Sequence, residues 1–216
     1  MSDRQPASRG YASPPCFMHE LEDGFSAASL PSDAWSDVSR WRRAERRRLI
    51  EVRLALSQDE RRLRSERIAA ALDAAVGRVS GRIVGTYWPF RGEPDLRNWG
   101  IRVVERGGRI ALPVVIQKGW PLEYRIWSPG DPLERGVWNI HVPARGPAVQ
   151  PDIVVAPVVG FDEAGHRLGY GGGFFDRTLA AMPRRPLKVG VGYALARIAT
   201  IYPQPHDIPM DVIVTD

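Results

Sequence analysis

The chain has a single cysteine, Cys16, among its 216 residues. That excludes an internal disulfide and any cysteine-rich zinc site. No apolar run approaches the roughly 20 residues that a membrane-spanning helix needs, and the N-terminus lacks the basic-then-apolar pattern of a signal segment. A cytoplasmic location and no membrane partner are therefore expected. Two familiar phosphate motifs are missing: no Gly-Lys-Ser/Thr closes a P-loop, and the dinucleotide spacing Gly-x-Gly-x-x-Gly does not occur. No Ser/His/Asp set for nucleophilic catalysis stands out. Cys16 and His19 lie close in sequence, but a pair without further ligands is weak evidence for a metal site or for catalysis.

What is present is ordinary in bulk and uneven in detail. A hydrophobic content of 44% with 25% charged residues suits one soluble globular domain with a substantial core. The net charge of +5 comes from one stretch, residues 40–67, which holds 11 arginines against five acids. Such a patch suits nucleotide phosphate, a polycarboxylate substrate or nucleic acid. The patch is confined to helices that also have a core face, and no nucleic-acid motif accompanies it, so no nucleic-acid partner is expected.

Residues 1–39 are rich in Ser, Pro, Ala and Asp without sustained periodicity, and read as an extended, partly disordered arm. A single domain then covers residues 40–216. The spacing predicts a helix over residues 41–56, with Trp41, Ala44, Leu49, Val52 and Leu56 on its buried side. Arg42, Arg46 and Arg53 share a neighbouring stripe at the border of that side, and Arg43 and Arg47 point to solvent. Ser57 and Glu60 form a capping box, opening a second helix that ends at Gly77. Strands are expected over residues 83–87, 110–115, 122–127, 153–155 and 188–193, with another near the C-terminus. A helix over residues 96–105 is expected with Asp95 as its cap, and residues 143–151 read as a loop. Trp120, Tyr124, Trp127 and Trp138 read as clustered core aromatics, one or two of them able to sandwich a flat heteroaromatic ring. His206 and Asp207 read as a structural turn. This alternation argues for an α/β fold with a largely parallel sheet.

The densest chemical signal is the run Gly-Phe-Asp-x-x-Gly-x-Arg-Leu-Gly-Tyr-Gly-Gly-Gly-Phe-Phe-Asp-Arg at residues 160–177. It follows a β-branched strand and precedes a helix. Glycines let main-chain N–H groups approach a ligand closely, and the opening helix adds free N–H groups and a positive dipole end. With Arg167 before the loop and Asp176 and Arg177 after it, the stretch is a candidate nucleotide-phosphate site in which a carboxylate could hold Mg²⁺.

That run also resembles the signature of the 5-formyltetrahydrofolate cyclo-ligase family. Weaker similarity extends from about Arg42 to the closing stretch at residues 205–215. The resemblance implies a Rossmann-like three-layer fold and an ATP- and Mg²⁺-dependent ligase, acting as a monomer or homodimer on two small molecules, ATP and a reduced folate. It implies ATP binding by Arg42, Arg46, Arg167, Leu168, Gly169, Tyr170, Gly171, Gly172, Gly173 and Phe174. In the family a Lys-x-x-x-Arg pair serves ATP at the first helix, and Arg42 occupies the lysine's place. Catalytic roles are implied for Arg167, Tyr170 and Asp176, the last also holding the metal. Substrate contacts are implied for Glu93, Tyr170 and Trp138. Phe174 and Phe175 replace two tyrosines of the usual motif. That departure leaves open a related protein acting on another substrate, or a binding protein without turnover.

Overall fold

The computed structural model describes residues 32–216. Cys16, His19 and most of the expected N-terminal arm lie outside the described residues. The first helix, α1 (Ser32–Ala55), begins ahead of the predicted start at Trp41. Next comes α2 (Gln58–Val76), opened by the predicted capping box: Ser57 accepts from the Glu60 N–H and the Glu60 carboxylate reaches back to the Ser57 N–H. There follow β1 (Ile83–Gly85), α3 (Arg97–Glu105), β2 (Arg109–Val114), β3 (Glu123–Trp127), β4 (Leu133–Arg135), β5 (His141–Pro143) and β6 (Ala148–Val149). The C-terminal half holds β7 (Ile153–Pro157), β8 (Gly160–Phe161), β9 (Arg167–Leu168), α4 (Phe174–Ala181), β10 (Leu187–Val191) and β11 (Val212–Val214).

Seven strands form the central sheet in the order β11-β10-β7-β1-β2-β3-β6. Five of them are parallel, and β3 and β6 extend the far edge antiparallel. β6 lies in the stretch expected to be a loop. Its two residues satisfy ladder groups of β3 that an open edge would leave unpaired. β7 is central, and its Ile153, Val154, Val155 and Ala156 are all fully buried, as a strand covered on both faces must be. Ile153 and Val155 point into one core, shared with Ile68 and Leu72 of α2 and Trp99 and Val103 of α3. Val154 and Ala156 point into the opposite core with Leu179 of α4. Helices on both faces of a mostly parallel sheet give the expected three-layer α/β architecture.

Three local expectations change. Asp95 does not cap α3 as its N-cap residue; Leu96 holds that position, and the Asp95 carboxylate accepts from the Arg97 N–H at 3.1 Å. The middle aromatics do not cluster. Tyr124 is buried, Trp120 is exposed, Trp127 meets Trp88 edge-on, and Trp138 lies apart beside Phe174. The largest change concerns α1, where Ala44 and Val52 are exposed. The face turned inward carries Arg42, Leu49 and Arg53, with Arg46 half-buried. α1 packs beyond the end of the sheet: Leu49 touches Val159, Leu168 and Ile201. That surface is built from loops whose carbonyls are free to accept from guanidinium groups.

Strand order also explains where a site forms. The chain runs from β1 outward to β2 on one side and from β7 outward to β10 and β11 on the other. The loops leaving β1 and β7 therefore part at their carboxyl ends, and this switch point is where open α/β sheets bind ligands.

Candidate active site

A cleft of about 190 Å³ opens at that switch point. One wall is the glycine loop of residues 169–173, and another is the β1 loop of residues 88–95. The β4–β5 hairpin and the inner face of α1 complete it. Every site residue expected from the sequence lines this cleft, from Arg42 to Asp176. Their environments differ sharply.

Arg42 is fully engaged. Its Nε donates to the Ile201 carbonyl at 2.9 Å, and Nη2 donates to the Tyr202 carbonyl at 2.8 Å and to Asp207 Oδ2 at 2.5 Å. Asp207 also accepts from the Gln204 N–H at 2.7 Å, closing its own turn. His206 stands 4.0 Å from Asp207, consistent with a structural turn. Arg42 thus clamps the C-terminal segment.

Arg46 is the opposite case. Only its Nε makes a hydrogen bond among the described residues, donating to the Gly169 carbonyl at 2.8 Å. Burial, and then the neighbouring Arg42 charge, depress its pKa to about 10. Its guanidinium carbon lies 3.3 Å from where a Cβ on Gly171 would sit. Gly171 is also left-handed, at φ 95°, so a side chain there would both strain the backbone and displace Arg46.

Arg167 is buried with unmet donors. Its Nη2 is 2.9 Å from Asp176 Oδ1, but the angle falls outside hydrogen-bond geometry. Nε and Nη2 thus lack a hydrogen-bond partner among the described residues. A buried cation with donors to spare marks a place for an anion. Asp176 accepts in addition from the Ile208 N–H at 3.2 Å. Among the described residues, no group of three or more His, Cys, Asp or Glu gathers around it or elsewhere. A Mg²⁺ held by a single carboxylate and completed by substrate phosphate oxygens remains compatible with that donor set.

The glycine loop ends at Gly173, whose left-handed backbone (φ 59°) opens α4. Phe174, in place of a tyrosine, packs its ring against Gly172, beneath the Arg177 guanidinium and edge-on to Trp138 at 5.7 Å. Trp138 and Asn139 both have positive φ, and backbone strain of this kind concentrates at functional sites. The Leu168 side chain belongs to the core; what this residue offers the cleft is backbone.

Across the cleft, Glu93 is buried at 6% exposure. It accepts from the Phe90 N–H at 2.8 Å. Burial raises its pKa to about 7, against the opposing pull of Arg53. Burial likewise raises the Tyr170 hydroxyl well above its usual range, with the Glu93 charge adding to it. Arg53 was not expected in the site, although it shares the helical stripe of Arg42 and Arg46. It donates to the Tyr170 hydroxyl at 2.5 Å and to the Arg91 carbonyl at 3.0 Å. Phe90, whose ring meets Tyr170 at a tilt with centroids 5.8 Å apart, was also not anticipated.

A sequence profile of the 5-formyltetrahydrofolate cyclo-ligase family matches residues 38–216. The chain belongs to that family. Family membership makes it an enzyme of the ligase class. The chain is 28% identical over 170 residues to the 5-formyltetrahydrofolate cyclo-ligase of Escherichia coli K12, a match covering 76% of this chain and 93% of the relative. The solved 5,10-methenyltetrahydrofolate synthetase of Aquifex aeolicus superposes with a TM-score of 0.69 at 31% identity, covering 80% of this chain and 88% of that one. The Mycoplasma pneumoniae synthetase shares the fold at a TM-score of 0.68 and 22% identity, over 81% of this chain and 98% of that one. Among the described residues, no helix is long and apolar enough to cross a membrane.

Proposed function

We propose that this protein catalyses ATP-dependent ring closure of 5-formyltetrahydrofolate to 5,10-methenyltetrahydrofolate, releasing ADP and phosphate. The observation that carries the reading is the cleft's division of labour. Arg46 and Arg167, cations with donors to spare, face the glycine loop on one side, and a buried carboxylate, Glu93, stands on the other. One side suits phosphate. The other suits the paired N–H donors of a pterin edge.

The chemistry fits a site without a protein nucleophile. The formyl oxygen is a poor leaving group; it attacks the γ-phosphorus and ADP departs. The substrate's second nitrogen then attacks the activated carbon, its N–H proton is lost, and the carbon–oxygen bond breaks to release phosphate. Arg46, Arg167 and the N–H groups of Gly171, Gly172 and Gly173 neutralise charge on the transferring phosphoryl group. Asp176 would hold Mg²⁺, which would supply further neutralisation of phosphate charge. Tyr170 and Glu93 orient the folate, with Trp138 and Phe174 covering the cleft and limiting water. Arg42, already saturated by Asp207 and two carbonyls, supports this site from behind by fixing α1 against the C-terminal segment.

The test mixes purified protein with Mg-ATP and 5-formyltetrahydrofolate and follows the near-ultraviolet absorbance of the methenyl product. Product that requires ATP and is lost in Arg46→Ala is the expected result. Turnover unchanged in Arg46→Ala removes the phosphate assignment, and no product from folded wild-type protein overturns the activity itself.

A further inference from the structure

We propose that Arg53 is a positioning residue that locks the glycine loop and the β1 loop together, so that the Tyr170 hydroxyl and the Glu93 carboxylate present one fixed donor–acceptor arrangement to the folate. The inference rests on the function proposed above for Glu93.

Arg53 is 4% exposed, and it spans two loops distant in sequence. Its Nε donates to the Arg91 carbonyl at 3.0 Å and its Nη2 to the Tyr170 oxygen at 2.5 Å. A phenol oxygen has one proton. With Arg53 donating to it, that proton must point away, toward the β1 loop that carries Phe90 and Glu93. Its acceptor there is the Phe90 carbonyl, at 3.5 Å. Arg53 therefore selects the direction of the Tyr170 hydroxyl.

Its second grip acts on the backbone. Arg91 has φ 46°, a left-handed conformation that non-glycine residues rarely hold without help. The turn through Arg91 also aims the Phe90 N–H at Glu93 Oε2, at 2.8 Å. Tyr87 and Tyr193 brace the same loop through the Pro94 and Gly92 carbonyls, at 2.8 and 3.2 Å.

Arg53 also carries the compensating charge. The groups around Glu93 are Arg53 from α1, Tyr170 from the glycine loop and Tyr87 from beyond β1, with Asp95 further along its own loop. Tyr193 after β10 faces Tyr87, and Arg61 of α2 reaches Gly92. Of these, Arg53 is the cation that acts on Glu93 itself.

The experiment uses the full chain with Arg53→Met and Arg53→Lys, and Glu93→Gln to identify the signal. In unliganded protein labelled with ¹³C at glutamate carboxyls, the Glu93 resonance is the titrating peak missing from Glu93→Gln. Arg53→Met is expected to raise its midpoint by about one pH unit, with Arg53→Lys in between. An unmoved midpoint in either folded variant overturns the proposal, and Arg53→Lys decides it should Arg53→Met fail to fold. In turnover, Arg53→Met is expected to shift the acidic limb of kcat/KM for the folate upward by the same amount and raise its KM about tenfold. KM for Mg-ATP should stay within about twofold, because Arg46 and Arg167 serve the phosphates. An equal rise in both KM values assigns Arg53 to general loop stability and overturns the positioning role. Wild-type protein without turnover sinks the folate activity, while the carboxyl titration still decides the role of Arg53.

Discussion

Helices α1 and α2 follow one another in the same arginine-rich stretch, yet they bury opposite kinds of residue. α2 turns Ile68, Ala69, Leu72 and Val76 inward, leaves Arg62 and Arg67 exposed, and pairs Arg62 with Glu66 at 3.0 Å. α1 buries Arg42 and Arg53 around Leu49 and leaves Val52 and Leu54 in solvent. The difference lies in what each helix rests on. α2 covers a sheet whose N–H and carbonyl groups are consumed by the ladder, so that surface accepts only apolar side chains. α1 rests on loops with carbonyls to spare. Burying a guanidinium costs several kcal/mol unless its donors are met, and the loops meet them at Ile201, Tyr202, Gly169 and Arg91. Two of these acceptors, Tyr202 and Arg91, are among the left-handed non-glycine residues. The arginines of α1 thus hold strained turns at the edge of the cleft.

That contrast can be broken at several points. Arg42→Ala strands a buried Asp207 and is expected to cost about 3–5 kcal/mol in denaturant unfolding. Arg42→Met combined with Asp207→Leu should recover most of it. Leu72→Ala in α2 costs a similar about 2–5 kcal/mol by leaving a cavity, but no change of a charged partner rescues it. If the Arg42/Asp207 pair fails to rescue as well, the two helices are held by the same physics and the distinction collapses.

Glu93, facing α1, gives the next largest effect. Its pKa is about 7 in the folded protein against an ordinary 4.5. The folded state therefore binds more protons than the unfolded chain between those values, and its stability falls as pH rises through that window. Glu93→Gln should gain on wild type by on the order of 3 kcal/mol between pH 4.5 and pH 8. Parallel stability curves for the two proteins across that range would remove the buried-carboxylate assignment.

Arg46 separates function from stability within α1. Arg46→Ala is expected to lower turnover about 100-fold, roughly 2.7 kcal/mol of transition-state stabilisation, while changing unfolding free energy by less than about 1 kcal/mol. A large loss of stability would place Arg46 with Arg42 as a clamp. The smallest effect is local to α2: Ser57→Ala should cost about 1 kcal/mol, since it removes one half of the capping box.

Much of this was legible in the sequence because it is local. The capping box, the buried β7 run and the glycine loop that opens α4 are each set by a few neighbouring residues, and all three stand where the spacing placed them. The resemblance to the cyclo-ligases rested on a contiguous run for the same reason, and the family match confirms it. The face of α1 was misread because helical periodicity treats apolar residues as the buried ones. Here burial is decided by acceptors more than 100 residues away, as for Arg42 with Ile201 and Arg46 with Gly169.

The sequence by itself determined the main helices, the strands that carry the core, the glycine-rich backbone after β7 and the stock of arginines near it. Only the tertiary structure decided which arginine is spent and which is aimed. It saturated Arg42 on Asp207, left Arg46 and Arg167 with donors to spare, and tied Arg53 to Tyr170 and to the β1 loop that carries Glu93. The reason is the switch between β1 and β7: parting loops at one end of the sheet bring together residues that no local pattern connects.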